Sequence, residues 1–169
     1  MGMSPRPGRG TAGRIRAPYR RTLLRMTATA VRTAPAAVSL SVVLWLSAIG
    51  AGAAEALVHL LLPQPPTLTQ LATRFGIYAV LTVLVLALRT GHNAVRWTVA
   101  VLLGGFGTAS LVIEPVSWLL AGGSAGLFLV TAETPALVAA VLRIAHLVAV
   151  FSALVLMFRP AANAWFRGR

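Results

Sequence analysis

The sequence predicts an all-α polytopic membrane protein, a four-helix transmembrane bundle with antiparallel up-and-down topology. Three observations carry this. First, 57% of the 169 residues are hydrophobic and 11% are charged, against roughly 25% charged in an average soluble domain. The mean hydropathy of +0.81 leaves too little polar surface to face water all round. Second, the apolar residues fall into four long stretches separated by helix breakers. Third, the charge is one-sided, with all 15 basic residues Arg and all three acids Glu (Glu55, Glu114, Glu133). An ordinary soluble domain, a disordered chain and a soluble coiled coil are excluded. The wealth of Ala, Gly, Pro and Arg, all encoded by G- and C-rich codons, indicates a high-GC bacterial source.

Residues 1–33 read as a basic, disordered cytoplasmic arm with eight Arg and no apolar period. Each Arg held near anionic headgroups contributes about 1 kcal/mol of membrane attraction. Nucleic acid is not the expected partner, because Tyr19 is the arm's one aromatic residue and stacking would need more. Met1, Met3 and Met26 are alternative starts. Tyr19-Arg20-Arg21-Thr22-Leu23-Leu24-Arg25 has the look of a twin-arginine export signal, with A-x-A sites at Ala51-Gly52-Ala53 and Ala54-Glu55-Ala56. Arg32 interrupts the place where such a signal's apolar run begins, however, and the run continues to Leu62. An uncleaved anchor is the stronger reading.

The first span is expected at 35–62, opened by Pro35 in the first turn and closed by Pro63-Gln64-Pro65-Pro66. At a rise of 1.5 Å per residue it measures about 40 Å, more than the ~30 Å hydrocarbon core, so it tilts or protrudes. The second span is expected at 67–89. Gly91 then stops it and Asn93 caps the third, making a hairpin. The third span runs 94–114, where Glu114-Pro115 breaks or kinks it, with an extension to 121 as an alternative. Residues 116–132 are apolar but Gly-rich. They extend span three, lie in the interface, or dip into the membrane. The fourth span is expected at 135–158, followed by a short interfacial tail at 160–169. The four-span domain thus covers 34–159.

The positive-inside rule selects four spans over five. Four spans place the arm, Arg89, Arg96, Arg159, Arg167 and Arg169 on the cytoplasmic side of a bacterial plasma membrane, with both termini inside. Trp97, Trp165 and Phe166 then anchor the inner interface and Trp118 the outer one.

Charges within spans are costly and mark candidate sites. Residue counts put Glu55, Arg74 and Arg143 each about 10 Å below the outer ends of spans one, two and four. Glu114 joins them if span three continues through Pro115. The expectation is a neutral quartet of Glu55, Arg74, Glu114 and Arg143, with Glu55–Arg143 its most secure pair. It serves as a structural clasp or, alternatively, lines an ion or proton path; without pairing, the two Arg snorkel outward separately. A bis-histidine haem on His59 and His146 needs equal depth, yet counting places them about 5 and 15 Å down.

Ser47-Ala51, Ala48-Gly52 and Gly50-Ala54 give span one small-xxx-small surfaces, and Gly104, Gly105 and Gly107 cluster in span three. Small residues allow close helix approach, within the bundle or between copies. With no Cys or Asp, no catalytic motif, metal set or cofactor site is expected. The expected role is structural or partner-binding, with lipid, another membrane protein or a second copy as partner. A subunit of a transporter or small-solute pathway using Glu55 and Arg143 is the alternative, and a redox protein or enzyme a second one.

Two stretches carry a resemblance. Leu88-Arg89-Thr90-Gly91-His92-Asn93-Ala94-Val95-Arg96 resembles the R-x-G turn between spans two and three of a group of small actinobacterial four-helix integral membrane proteins. Leu156-Met157-Phe158-Arg159-Pro160-Ala161-Ala162-Asn163-Ala164-Trp165-Phe166 is similar to that group's closing F-R-P-x-x-N-x-W-F box. Ala30-Val31-Arg32-Thr33-Ala34 is similar to the approach to its first span. Ala94-Val95 departs from the group, which often has Trp-Ala there. The resemblance implies topology and source and no particular activity. In the closing box, Arg159-Pro160 is expected to end span four, Asn163 to satisfy free backbone groups, and Trp165 with Phe166 to sit in the interface.

Overall fold

A computed structural model describes Gly2 and residues 33–168. The basic arm, its headgroup contacts, the alternative starts and Arg169 otherwise lie outside the described residues. The described residues form helices and no strand: α1 (Ala36–Val58), α2 (Leu68–Leu86), α3 (Asn93–Val99), a π-helical segment (Ala100–Gly107), α4 (Thr108–Leu120), α5 (Ala125–Thr131), α6 (Thr134–Met157) and α7 (Pro160–Arg167). α1 and α2 each end in a 3-10 turn, His59–Leu61 and Ala87–Thr90. Four helical runs are long and apolar enough to cross a membrane: Ala36–Leu61, Leu68–Thr90, Asn93–Leu120 and Thr134–Met157. The chain is therefore an α-helical, multi-pass membrane protein. Only such helices, with every backbone group bonded internally, tolerate lipid on their flanks.

The boundaries follow local chemistry. Pro35 is the N-cap of α1 (φ −55°, ψ 151°), one residue ahead of the expected first-turn position. Thr67 and Gln70 form a reciprocal capping box on α2. The Gln70 N–H donates to Thr67 Oγ1 (3.2 Å) and the Thr67 N–H donates to Gln70 Oε1 (2.9 Å), satisfying two otherwise orphaned donors. Gly91 ends the following 3-10 turn in the left-handed region (φ 79°). Asn93, expected as the next N-cap, is instead the first helical residue, and His92 is the cap with no side-chain bond.

The third span departs most from expectation. Glu114-Pro115 does not break it; the helix runs on to Leu120. In lipid the loss of one N–H costs less than exposing a broken helix end. The irregularity lies upstream, in the π-helical segment with Gly104, Gly105 and Gly107, where glycine weakens the α register. Gly104 also faces Leu154 of α6, whose side chain would lie 3.0 Å from an added Cβ.

The helix then stops at a Schellman turn, the Gly123 N–H donating to the Trp118 carbonyl and the Gly122 N–H to that of Leu119, both 3.0 Å. Gly122 supplies the left-handed φ of 91°, and Gly123 leaves room for the Trp118 ring. Residues 116–132 thus divide among the end of span three, this turn and the short α5.

α1 is the central helix. A third of its apolar window (33%) is buried, against 11% for the second and third spans. Its main partner is α6, then α2. Ser41 Oγ donates to the Ala153 carbonyl across the α1–α6 contact (2.9 Å). The core gathers Val38, Val42, Trp45, Val85, Leu88, Val150, Ala153 and Met157.

Thr67→Ala removes the capping box. It should lower stability by about 1 kcal/mol, read by thermal unfolding in detergent, while Thr67→Ser stays close to wild type.

Candidate functional site

Each of the four spans contributes one charged residue to one cavity: Glu55 from α1, Arg74 from α2, Glu114 from α4 and Arg143 from α6. Helical spacing places them there. On α1, Trp45, Ala48, Gly52 and Glu55 recur at three- and four-residue steps, so they share a face. On α2, Arg74 and Tyr78 are four apart; on α6, Arg143 and His146 are three apart. All of these line the cavity, whose volume is 370 Å³.

Arg143 is the hub. Its Nε–H donates to Glu55 Oε1 (2.8 Å), and Nη2 lies 2.7 Å from the same oxygen. On its other side Nη1 lies 3.1 Å from Glu114 Oε2. One guanidinium therefore ties α1, α4 and α6. The two acids differ in environment. The Glu55 side chain is 7% exposed and that of Glu114 is 74% exposed. A buried carboxylate depends on its partner far more than an open one does.

Arg74 differs from the expected quartet. It lines the same cavity, but among the described residues no carboxylate oxygen lies within the 4.0 Å of an ion pair to it. Equal depth brought Arg74 to the same cavity and not into an ion pair.

Below the charged level lies a second polar layer. Gly52 permits it: an added Cβ would meet His146 Nδ1 at 3.1 Å and the Tyr78 hydroxyl at 3.2 Å. Among the described residues, the buried Nδ1 of His146 has no hydrogen-bond partner, and the Nε1–H of the fully buried Trp45 has no acceptor. Tyr78 and Trp45 were not singled out from the sequence. The stripe from Trp45 to Glu55 and the Arg74–Tyr78 spacing were the signals available. His59 stands apart, its Nδ1 2.7 Å from the Glu55 carbonyl.

The aromatic anchors divide. Trp97 (53% exposed) and Trp118 (43%) remain at the surface. Trp97 packs edge-on against Phe158 (5.4 Å between centroids) and Trp118 against Phe128 (6.1 Å). Trp165 and Phe166, expected in the interface, are instead buried in the core. The reason is α7: Pro160 starts a helix that folds back on the bundle, and Asn163 Nδ2 donates to the Phe158 carbonyl (2.9 Å) at the junction. The folded-back helix encloses Arg96. Its guanidinium carbon sits 4.1 Å from the Phe158 ring centroid and 5.4 Å from that of Phe166. Such a desolvated cation–π contact is worth about 2 kcal/mol.

The chain matches no known protein family model, no curated protein and no solved structure.

Arg143→Gln should destabilise the protein by about 3 kcal/mol, since it strands buried Glu55. Glu55→Gln should cost more than Glu114→Gln. A double-mutant cycle on Glu55 and Arg143, read by thermal unfolding in detergent, should show non-additive effects; additivity would reject their coupling.

Proposed function

We propose that this is a structural or partner-binding protein of a bacterial plasma membrane, built as an up-and-down bundle with both termini cytoplasmic, that holds another membrane protein or a second copy of itself. One observation carries the reading. α1 bears two small-residue faces, and the bundle uses one. Ala48 and Gly52 are buried against neighbouring helices, whereas Ser47 and Gly50 are exposed, with nothing within 4 Å of a Cβ added at Gly50. A glycine in a membrane helix with no neighbour inside its own bundle suits close approach by a further helix. No catalysis is part of this reading, and the Arg143 hub serves as the clasp that keeps α1 in register. A photoreactive residue at Ser47, activated in native membranes, should give one discrete protein adduct that Gly50→Leu abolishes. Adducts to lipid alone would overturn the reading.

Several features support the orientation. Ser41 meets Ala153 while Glu55 meets Arg143, as expected for opposite directions of α1 and α6. The Arg asymmetry supports cytoplasmic termini. The turn and closing-box resemblances, with the wealth of Ala, Gly, Pro and Arg, support an actinobacterial source. Alkaline phosphatase fused after Pro66 should be active and after Arg169 silent; the reverse pattern would invert the topology.

The cavity favours a second reading, a subunit of a small-solute pathway in which Glu55, Arg143 and their neighbours contact the solute.

A further inference from the structure

We infer that the cavity is a binding site for a zwitterionic lipid headgroup bearing a phosphate and a primary ammonium, with the upper part of an acyl chain below it. The inference rests on the second reading in one respect, that the cavity holds a ligand.

Charge accounting points to a zwitterion. Arg143 is committed to both acids. Among the described residues, what stays uncommitted is one cation, Arg74, and two carboxylate oxygens, Oε1 of the open Glu114 and Oε2 of the buried Glu55. The Arg74 and Glu114 side chains are the exposed ones. At membrane depth an uncovered charge is costly unless a polar group meets it. A single anion would satisfy Arg74 and repel Glu114; a single cation would do the reverse. A phosphate on Arg74 with an ammonium on Glu114 satisfies both and leaves the site neutral.

The vertical order of the cavity points to a lipid. Its charged level, its Tyr78 and His146 layer, and its floor succeed one another along α1 from Glu55 to Trp45, about 15 Å. The floor is apolar: Leu81, Leu103 and Val150 line it with Trp45. A lipid has this same order, headgroup outward and chain inward. The 370 Å³ volume falls in the ~300–1,000 Å³ range of ligand pockets. The cavity is reached from the side of Arg74 and Glu114, whose side chains are exposed, while Glu55 is buried. One turn below Arg143, the buried His146 Nδ1 has no hydrogen-bond partner among the described residues; a glycerol-ester carbonyl, which follows the phosphate directly, falls at that level.

The test uses the full chain, delipidated in detergent and titrated with dioctanoyl phosphatidylethanolamine, with retained lipid read by native mass spectrometry. One saturable site is expected. Dioctanoyl phosphatidylglycerol, which lacks the cation, and free phosphoethanolamine, which lacks the chain, should each bind at least tenfold more weakly. Arg74→Gln should weaken phosphatidylethanolamine binding at least tenfold. Leu111 also lines the cavity; Leu111→Trp, which fills it without altering a charge, should abolish binding and serves if Arg74→Gln fails to fold. Equal retention of both lipids, unchanged by either variant, would mean non-specific annular lipid and overturn the inference. Binding of free phosphoethanolamine as tight as the lipid would overturn the lipid assignment in favour of a soluble zwitterion. Saturable lipid binding with no movement of lipid or phosphoethanolamine across proteoliposomes would remove the pathway reading and leave the site standing.

Discussion

The bundle is organised around one guanidinium that cannot be left alone. A charge at membrane depth is costly without a polar partner, and Arg143 is paired twice, with Glu55 at 2.7 Å and Glu114 at 3.1 Å. That requirement sets the rotation of three helices. α1 must turn Glu55 inward, α6 must turn Arg143 toward it, and the third span must persist through Pro115 so that Glu114 arrives at the same level. Once α1 is so rotated, Trp45, Ala48 and Gly52 necessarily face the same interior, because helical periodicity puts them in line with Glu55.

The opposite end of the bundle solves a similar problem by different means. Arg96 is buried with no carboxylate paired to it among the described residues, enclosed by Phe158, Phe166 and Trp97. Aromatic faces supply the partial negative charge there. This explains why the closing segment is a packed helix and not a loose tail: α7 brings Phe166 over the guanidinium, and Asn163 holds the joint through the Phe158 carbonyl. One end is held by an ion pair, the other by a cation among rings.

Much of this was legible in the sequence. The four apolar runs and their Pro and Gly punctuation marked out the four long helices, because breaker chemistry is local. Counting residues placed Glu55 and Arg143 at one depth, because rise per residue is constant in a helix. What counting does not supply is azimuth. Arg74 shares the depth of the clasp and still stands outside it. Trp165 and Phe166 have the composition of an interfacial anchor, and their burial depends on where α7 folds back, which no periodicity within eight residues reveals.

The sequence by itself determined a membrane-spanning helical protein, since burying this much apolar surface in so short a chain has no aqueous solution. It also determined where spans one, two and four stop, since proline and glycine act on their own backbone. Tertiary structure alone decided which helix faces meet. It chose Ala48 and Gly52 over Ser47 and Gly50 for internal packing, carried α4 past Pro115, and left Arg74 to line a cavity rather than join an ion pair. These outcomes depend on the mutual rotation of helices distant in sequence, which is settled by the pairing of buried charge and the fit of side chains across the bundle.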